Sequence, residues 1–173
     1  MKRINAMRNV FIISLIIVVL TPAMVDAEGI RQTPNSVYLE LGGSGILYTV
    51  NYERFVQEDF SVRAGAGFVW VGLPGVGSAS LLAIPVTASY FGVRSGEHAL
   101  ELGGGAVLVH ATAESDITGA EAFAEGTGVG GTAIVGYRYL PRSGGFNFRA
   151  AFTPIWGEGG YKGWAGVAFG FLF

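Results

Sequence analysis

The chain has 173 residues, a formal net charge of −2 and no cysteine, so it is long enough for one domain or a small barrel and contains no disulfide or thiolate metal site. Charged residues make up only 14% of it and glycine occurs 28 times, whereas soluble domains have about 25% charged residues and about 7% glycine. Neither disorder nor an ordinary soluble domain explains both features.

The first 27 residues have the three parts of a secretory signal peptide. Three basic residues, Lys2, Arg3 and Arg8, precede an apolar run of 11 residues, and a small-residue site ends at Ala27. A retained anchor is the alternative, but that run is shorter than the about 20 residues of a membrane-spanning helix. We predict cleavage after residue 27, with residues 28–35 as a periplasmic lead-in. Because cleavage also removes Asp26, the mature chain has 8 basic and 12 acidic side chains, a balance that argues against nucleic acid as a partner.

From residue 36 onward, alternating segments are separated by turn residues, and no helical stripe is present. Eight strands are predicted, at residues 36–43, 45–55, 60–71, 82–91, 98–110, 130–140, 146–156 and 163–173. Their lengths cluster near the about 9 to 11 residues with which a tilted strand crosses a bilayer. The predicted fold class is all-β: an eight-stranded antiparallel up-and-down transmembrane β-barrel that occupies residues 36–173.

The predicted connections alternate in length, which orients the barrel. Tight turns at residues 56–59, 92–97 and 141–145 are expected on the periplasmic side, and longer loops at 72–81, 111–129 and 157–162 on the outer side. The first outer connection, at residues 43–45, is unusually short. A count of seven strands, without a break there, is the alternative.

The two faces of the predicted strands differ in size and polarity. In the third strand, Val62, Phe68 and Trp70 share one face, and Ser61 and Arg63 share the other. An eight-stranded barrel is only just wide enough for its own side chains, so the bulky apolar face is predicted to meet lipid and the small polar face to line the lumen.

On this assignment three acids and three bases point into the lumen. They are Glu40, Glu53, Glu101, Arg63, Arg138 and Arg149. Isolated buried charges are costly, so a paired network is expected. The favoured interpretation is a structural network that plugs the lumen, and the alternative is a gated ion path.

Aromatic residues are predicted to form girdles at the two bilayer interfaces. Tyr52, Tyr137 and Tyr139 lie near the periplasmic turns, and Trp70 and Trp156 lie toward the other ends of their strands. In the last strand, residues Phe169, Phe171 and Phe173 share the outer face and end the chain. This strand resembles the closing strand of outer-membrane barrels, which implies that Phe169, Phe171 and Phe173 act as an assembly signal for the barrel-assembly machinery.

Further segments carry the same resemblance, namely the Leu-Glu-Leu-Gly-Gly sequence at residues 39–43 and 100–104, residues 51–55, Gly-Tyr-Arg-Tyr at 136–139, and residues 145–154. With them, the mature chain resembles the eight-stranded outer-membrane protein A and X type of barrel. The resemblance implies insertion in the bacterial outer membrane, with lipid as a partner. It does not imply an activity, because this fold includes adhesins, enzymes and structural proteins.

His110 is the one residue around which an enzyme site is conceivable. It precedes Thr112 by two residues, in the place of the His-x-Ser element of the lipid A deacylases, which are barrel enzymes of similar size. We predict an interfacial side chain instead, and assign no catalytic residue, cofactor or metal. The predicted function is structural or surface interaction, with an unidentified ligand at the outer loops left open. A barrel enzyme acting on outer-leaflet lipid and a narrow pore are the alternatives.

Overall fold

The computed structural model describes residues 32–115 and 122–173. The predicted signal peptide lies outside these residues and stays a prediction, as does most of the lead-in. The described residues form one short 3-10 turn, Gly43–Gly45, and ten strands. The strands are β1 (Asn35–Gly42), β2 (Tyr48–Gln57), β3 (Phe60–Leu73), β4 (Gly77–Ser95), β5 (His98–Ser115), β6 (Ala122–Tyr139), β7 (Gly145–Phe152), β8 (Ile155–Gly157), β9 (Gly160–Lys162) and β10 (Ala165–Leu172).

The strands form one closed antiparallel sheet. Each strand from β1 to β6 pairs with the next, β7 pairs with β10, and β10 pairs with β1. Strand β8 continues the line of β7 beyond Thr153 and Pro154, since both strands pair with β6 in the same register. Strand β9 precedes β10 in the same way. The ring therefore has eight positions, and the predicted eight-stranded antiparallel up-and-down barrel is confirmed.

Alternation along each strand divides the side chains between the lumen and the outer surface. In β1, Ser36 and Glu40 are fully buried, whereas Val37 and Leu39 are 42% and 44% exposed. The patterns of β2 and β10 alternate in the same way. Small residues make room inside: a Cβ at Gly65 would collide with the side chain of Asn51. Much of the glycine content thus follows from the narrow interior.

The two ends of the barrel differ. We call the end that holds Asn35, Phe173 and the connections at residues 58–59, 96–97 and 140–144 the terminal end. The opposite end, with the connections at 43–47, 74–76 and 158–159, is the loop end. The terminal end corresponds to the predicted periplasmic side, and its three tight turns are present.

Strands β3 to β6 continue past the rest of the barrel at the loop end. We call this part, residues 68–83, 108–115 and 122–130, the extension. The loops predicted at 72–81 and 111–129 are therefore wrong: the first is a turn at 74–76, and most of the second is strand, apart from residues 116–121, which lie outside the described residues. The loop predicted at 157–162 is mostly the hairpin of β8 and β9. In each case neighbouring strands stay paired with one another past the point where the full ring of eight ends.

The connection between β1 and β2 folds into the barrel. Gly43, Ser44 and Gly45 are buried and contact β3 and β4 as well as the strands that they join. Arg63 on β3 donates a hydrogen bond from Nη2 to Ser44 Oγ, at 3.3 Å. The predicted strand break is present, but β2 begins at Tyr48, and the segment between closes the lumen at the loop end.

Candidate functional site: a charged lumen inside an apolar wall

The lumen holds the charged residues that were singled out in the sequence. The inner faces of β1, β2, β3, β5, β6 and β7 each contribute one of them, and each is at most 3% exposed. These residues are Glu40, Glu53, Arg63, Glu101, Arg138 and Arg149. Strand alternation puts each side chain inside, and closure of the ring brings them together.

The six side chains are linked in one chain of alternating sign. Arg63 Nη1 lies 3.4 Å from Glu40 Oε2, and Glu40 also pairs with Arg149. Arg149 Nε donates to Glu101 Oε2 at 2.6 Å, and the same oxygen lies 3.7 Å from Arg138 Nη1. Arg138 then pairs with Glu53. Formal charge is balanced within the network, which is the condition under which buried ions are tolerated.

Uncharged lumen residues add further hydrogen bonds to the network. Ser61 donates to Glu53 at 2.6 Å, and Ser89 donates to Glu101 at 2.9 Å. Arg63 also donates to the hydroxyl groups of Thr87, at 2.9 Å, and Tyr38, at 3.1 Å. Sequence reasoning did not assign these partners, because alternation shows that they face inward but not which charge each one meets.

An apolar cluster closes the lumen at the terminal end. We call it the apolar plug, and it consists of Phe55, Phe91, Ala99, Leu140 and Leu172. The rings of Phe55 and Phe91 lie 5.5 Å apart, and the guanidinium carbon of Arg138 lies 5.7 Å from the centre of the Phe91 ring. The charged network therefore rests directly on the apolar plug.

Two ion pairs lie outside the apolar plug, one between β4 and the β2–β3 turn and one between two turns. Arg94 Nη2 lies 2.7 Å from Asp59 Oδ1, and Arg142 Nη2 lies 2.9 Å from Glu58 Oε1. The second pair connects the β2–β3 turn to the β6–β7 turn. Because Arg142 and Glu58 are largely exposed, their pair adds little stability, but it spans the mouth of the barrel.

The outer wall of the barrel is apolar and has aromatic residues at both levels. Near the terminal end, Tyr52 donates to Asn35 at 2.8 Å, Tyr139 donates to Glu97 at 2.7 Å, and the Tyr137 hydroxyl lies 2.6 Å from His98 Nδ1. Toward the loop end, Trp70 is 63% exposed, and Trp156 packs against Tyr161 at a tilted angle with ring centres 5.8 Å apart. The predicted girdle residues thus lie on the outer face at the two levels.

The aromatic residues at the end of β10 lie on this outer wall. Phe169, Phe171 and Phe173 are all about half exposed, while Ala168 and Leu172, on the inner face of the same strand, are buried. Pairing of β10 with both β1 and β7 closes the ring.

His110 lies on the outer face of the extension, away from the lumen. Its Nδ1 is 2.8 Å from Thr127 Oγ1, and its Nε2 is 3.7 Å from Glu125 Oε1. The hydroxyl of Thr112 is hydrogen-bonded instead to Ser80, at 2.7 Å. The His110-x-Thr112 arrangement considered from the sequence therefore does not place the Thr112 hydroxyl on the imidazole; Thr127 occupies that position.

Neither metal sites nor spanning helices are found in the described part of the chain. Within residues 32–115 and 122–173, no group of three or more His, Asp or Glu side chains is placed to hold a metal ion. Over the same residues, no helix has the length and apolar character needed to cross a lipid bilayer.

Comparison with known proteins gives structural matches only. No protein-family model and no curated protein matches the sequence. The crystal structure of Ail, the attachment invasion locus protein of Yersinia pestis, is similar with a TM-score of 0.53 and 15% identity, over 84% of this chain and 100% of that chain. The N-terminal β-barrel domain of Pseudomonas aeruginosa OprF matches with a TM-score of 0.48 and 21% identity, over 82% of this chain and 100% of the OprF domain. The chain therefore shares the barrel fold of Ail.

Proposed function

We propose that this protein is an integral β-barrel of the bacterial outer membrane with a structural or surface-interaction role, and that side chains plug its lumen. One observation carries the proposal: large apolar side chains cover the outside of the barrel while charged side chains fill the inside. A water-soluble barrel needs the opposite distribution, because burial of apolar surface stabilises it. The apolar outer surface of this barrel is therefore suited to contact with lipid.

The outer wall supports lipid as the main partner. Monomeric soluble proteins rarely expose contiguous apolar patches larger than a few hundred Å², whereas here the exposed apolar residues recur on most strands. The tyrosines near the terminal end and the tryptophans toward the loop end match the two aromatic girdles that membrane barrels have at the headgroup level. A closed ring also satisfies the backbone groups of every wall strand, as hydrocarbon requires.

The side chains that fill the lumen favour a plugged barrel over a pore. An ion crossing the barrel would meet the turn at Gly43–Gly45, then the paired network, then the apolar plug. The apolar plug offers no side-chain ligand to a dehydrated ion, whose transfer into an apolar layer is costly. We therefore expect planar-bilayer recordings of the mature protein to show no conductance, and discrete channel events would contradict a filled lumen.

Two measurements test the barrel itself. The mature protein, refolded into detergent or lipid, is expected to run as a protease-resistant band whose mobility changes on boiling. A protein that stays soluble without detergent and shows no heat-dependent shift would overturn the proposal, and a soluble ligand-binding barrel would replace it.

The barrel-assembly machinery is the partner proposed for the C-terminal strand. Phe173→Ala is expected to slow insertion in cells while leaving refolding in detergent intact, since the Phe173 side chain faces outward and the change keeps the two backbone hydrogen bonds to Asn35. The matched control is Phe146→Ala, since Phe146 is an outward aromatic residue at the terminal end of β7. Equal effects of both changes on insertion in cells would argue against a recognition role for the C-terminal residue.

A second candidate, an enzyme acting on outer-leaflet lipid, has one observation in its favour. The Thr127 hydroxyl, the His110 imidazole and the Glu125 carboxylate lie in a row on the outer face of the extension, and a hydroxyl next to a histidine that contacts an acid is the arrangement of an activated nucleophile. This candidate requires His110→Ala to abolish any change that the protein causes in the lipid A of its host. An unchanged lipid A profile with and without the protein would eliminate it.

A further inference from the structure

The turn that closes the lumen at the loop end contains a strained residue. Ile46 has φ 74° and ψ −67° and, within residues 32–115 and 122–173, it is the one non-glycine residue with positive φ. The backbone N–H of Leu47 donates to the Gly45 carbonyl at 3.0 Å, which completes a γ-turn of the rare and strained kind. A β-branched side chain makes this conformation especially unfavourable.

Hydrogen bonds hold the strained turn in place. Trp164 Nε1 donates to the Ile46 carbonyl at 2.8 Å, and the Gly42 N–H donates to the Leu47 carbonyl at 2.6 Å. Inside the lumen, Arg63 donates to Ser44 at 3.3 Å. Backbone strain persists only where surrounding contacts impose it, and such residues cluster at ligand clamps and switch regions.

The two closures of the lumen are built differently. At the terminal end, the apolar plug buries two phenylalanine rings and two leucine side chains. At the loop end, the inserted residues are Gly43, Ser44 and Gly45, whose side chains bury almost no apolar surface. Local opening costs least where few apolar contacts are lost. The closure at the loop end is therefore the weaker of the two.

We propose that residues 42–47 form a displaceable gate, which the strain at Ile46 biases toward opening and the bonds from Trp164 and Arg63 hold closed. Opening moves Ser44 out of the barrel and uncovers the guanidinium of Arg63. Arg63 has one carboxylate contact, to Glu40 at 3.4 Å, whereas Arg149 has two. The gate thus gives access to the charges that contact it, Arg63 and Glu40, and leaves the apolar plug shut, a property beyond the proposed structural role.

Thiol labelling measures opening directly, because the sequence has no cysteine. Ser44→Cys and Ser61→Cys are prepared separately in the mature protein, folded in lipid, and treated with a small methanethiosulfonate reagent. Both serines are fully buried and hydrogen-bonded to charged groups of the network, so they form a matched pair. The thiol at position 44 is expected to react at least about tenfold faster, because local opening costs less than global unfolding.

Two changes in the Ser44→Cys background test the backbone strain at Ile46 and the hydrogen bond from Trp164 that holds the turn closed. Ile46→Gly removes the side chain that disfavours positive φ, so labelling is expected to slow by about tenfold. The control is Leu47→Gly, next to it at an exposed position without positive φ, which is expected not to slow labelling. Trp164→Phe removes the indole donor and is expected to quicken labelling by about fivefold.

The gate is overturned if the thiol at position 44 reacts no faster than the thiol at position 61. It is also overturned if Ile46→Gly quickens labelling as much as Leu47→Gly does, because the closed turn would then carry no strain. Each variant is first checked for the heat-dependent gel shift, so that labelling is measured on folded barrels.

Discussion

The barrel body and the extension share strands, but β4 and β5 carry their polar residues on opposite faces in the two regions. In the body, Thr87 of β4 faces the lumen and is 3% exposed, while Val86 faces outward and is 44% exposed. In the extension of the same strand, Ser80 faces outward, hydrogen-bonded to Thr112, and Leu81 occupies the inner face beside Val69. Alternation continues without a break, but along β4 and β5 the polar residues change from the inner to the outer face.

This reversal indicates where the surroundings of the sheet change. Outward polar pairs occur in the extension, with Ser78 donating to Glu114 at 3.2 Å and His110 beside Thr127 at 2.8 Å. In the body, the outward positions of the same strands are apolar, as at Leu102 and Val135. We expect the edge of the membrane hydrocarbon to lie between the apolar positions of the body and the polar pairs of the extension, near Leu82 and Leu108.

The largest difference between the two regions is expected for their inner faces. Glu101→Gln in the body leaves Arg149 and Arg138 without a shared carboxylate, so the free energy of unfolding should fall by about 3 to 5 kcal/mol. The control, Ala111→Gln, lies on the inner face of the same strand in the extension. It should change stability by about 0.5 kcal/mol or less.

Denaturant titration of the barrel in lipid measures both changes. A small loss for Glu101→Gln would mean that the lumen network is solvated rather than buried. A large loss for Ala111→Gln would mean that the inner face of the extension is packed like the body.

The outer faces should differ by a smaller amount. Val86→Arg places a charge on the apolar wall and should cost about 2 to 4 kcal/mol near the middle of a bilayer, whereas Ser80→Arg, six residues earlier on the same face, should cost about 0 to 1 kcal/mol. Refolding into vesicles at increasing urea concentrations gives both values. Equal costs would move the boundary of the hydrocarbon away from Leu82.

The smallest effect is expected from shortening the extension. Residues 112–125 are replaced by Asn-Gly, which joins Ala111 and Gly126 where they already pair, and this dipeptide favours a tight hairpin. Insertion and the denaturant midpoint of the barrel should stay unchanged, because the charged network and the apolar plug lie in the body. Loss of insertion would show that the extension takes part in assembly rather than only in surface presentation.

Strand alternation predicted much of the fold and of the lumen. The inward positions of Glu40, Arg63 and Arg149 follow from period two within each strand. Because an eight-stranded ring is narrow, charged side chains that point inward come into contact. The loops at 72–81 and 111–129 were predicted wrongly because small and polar residues there resemble loop sequences, whereas pairing between neighbouring strands keeps residues 77–81, 111–115 and 122–129 extended.

The sequence by itself determined the eight strands, the face on which each side chain lies, and the balance of charge inside. Only the tertiary structure decided which acid meets which base, because that depends on register around the whole ring. It also decided that the segment at residues 43–45 folds inward, since the space that it fills exists only after the ring closes. Period two is a local property of a strand, while register and enclosed space belong to the assembled barrel.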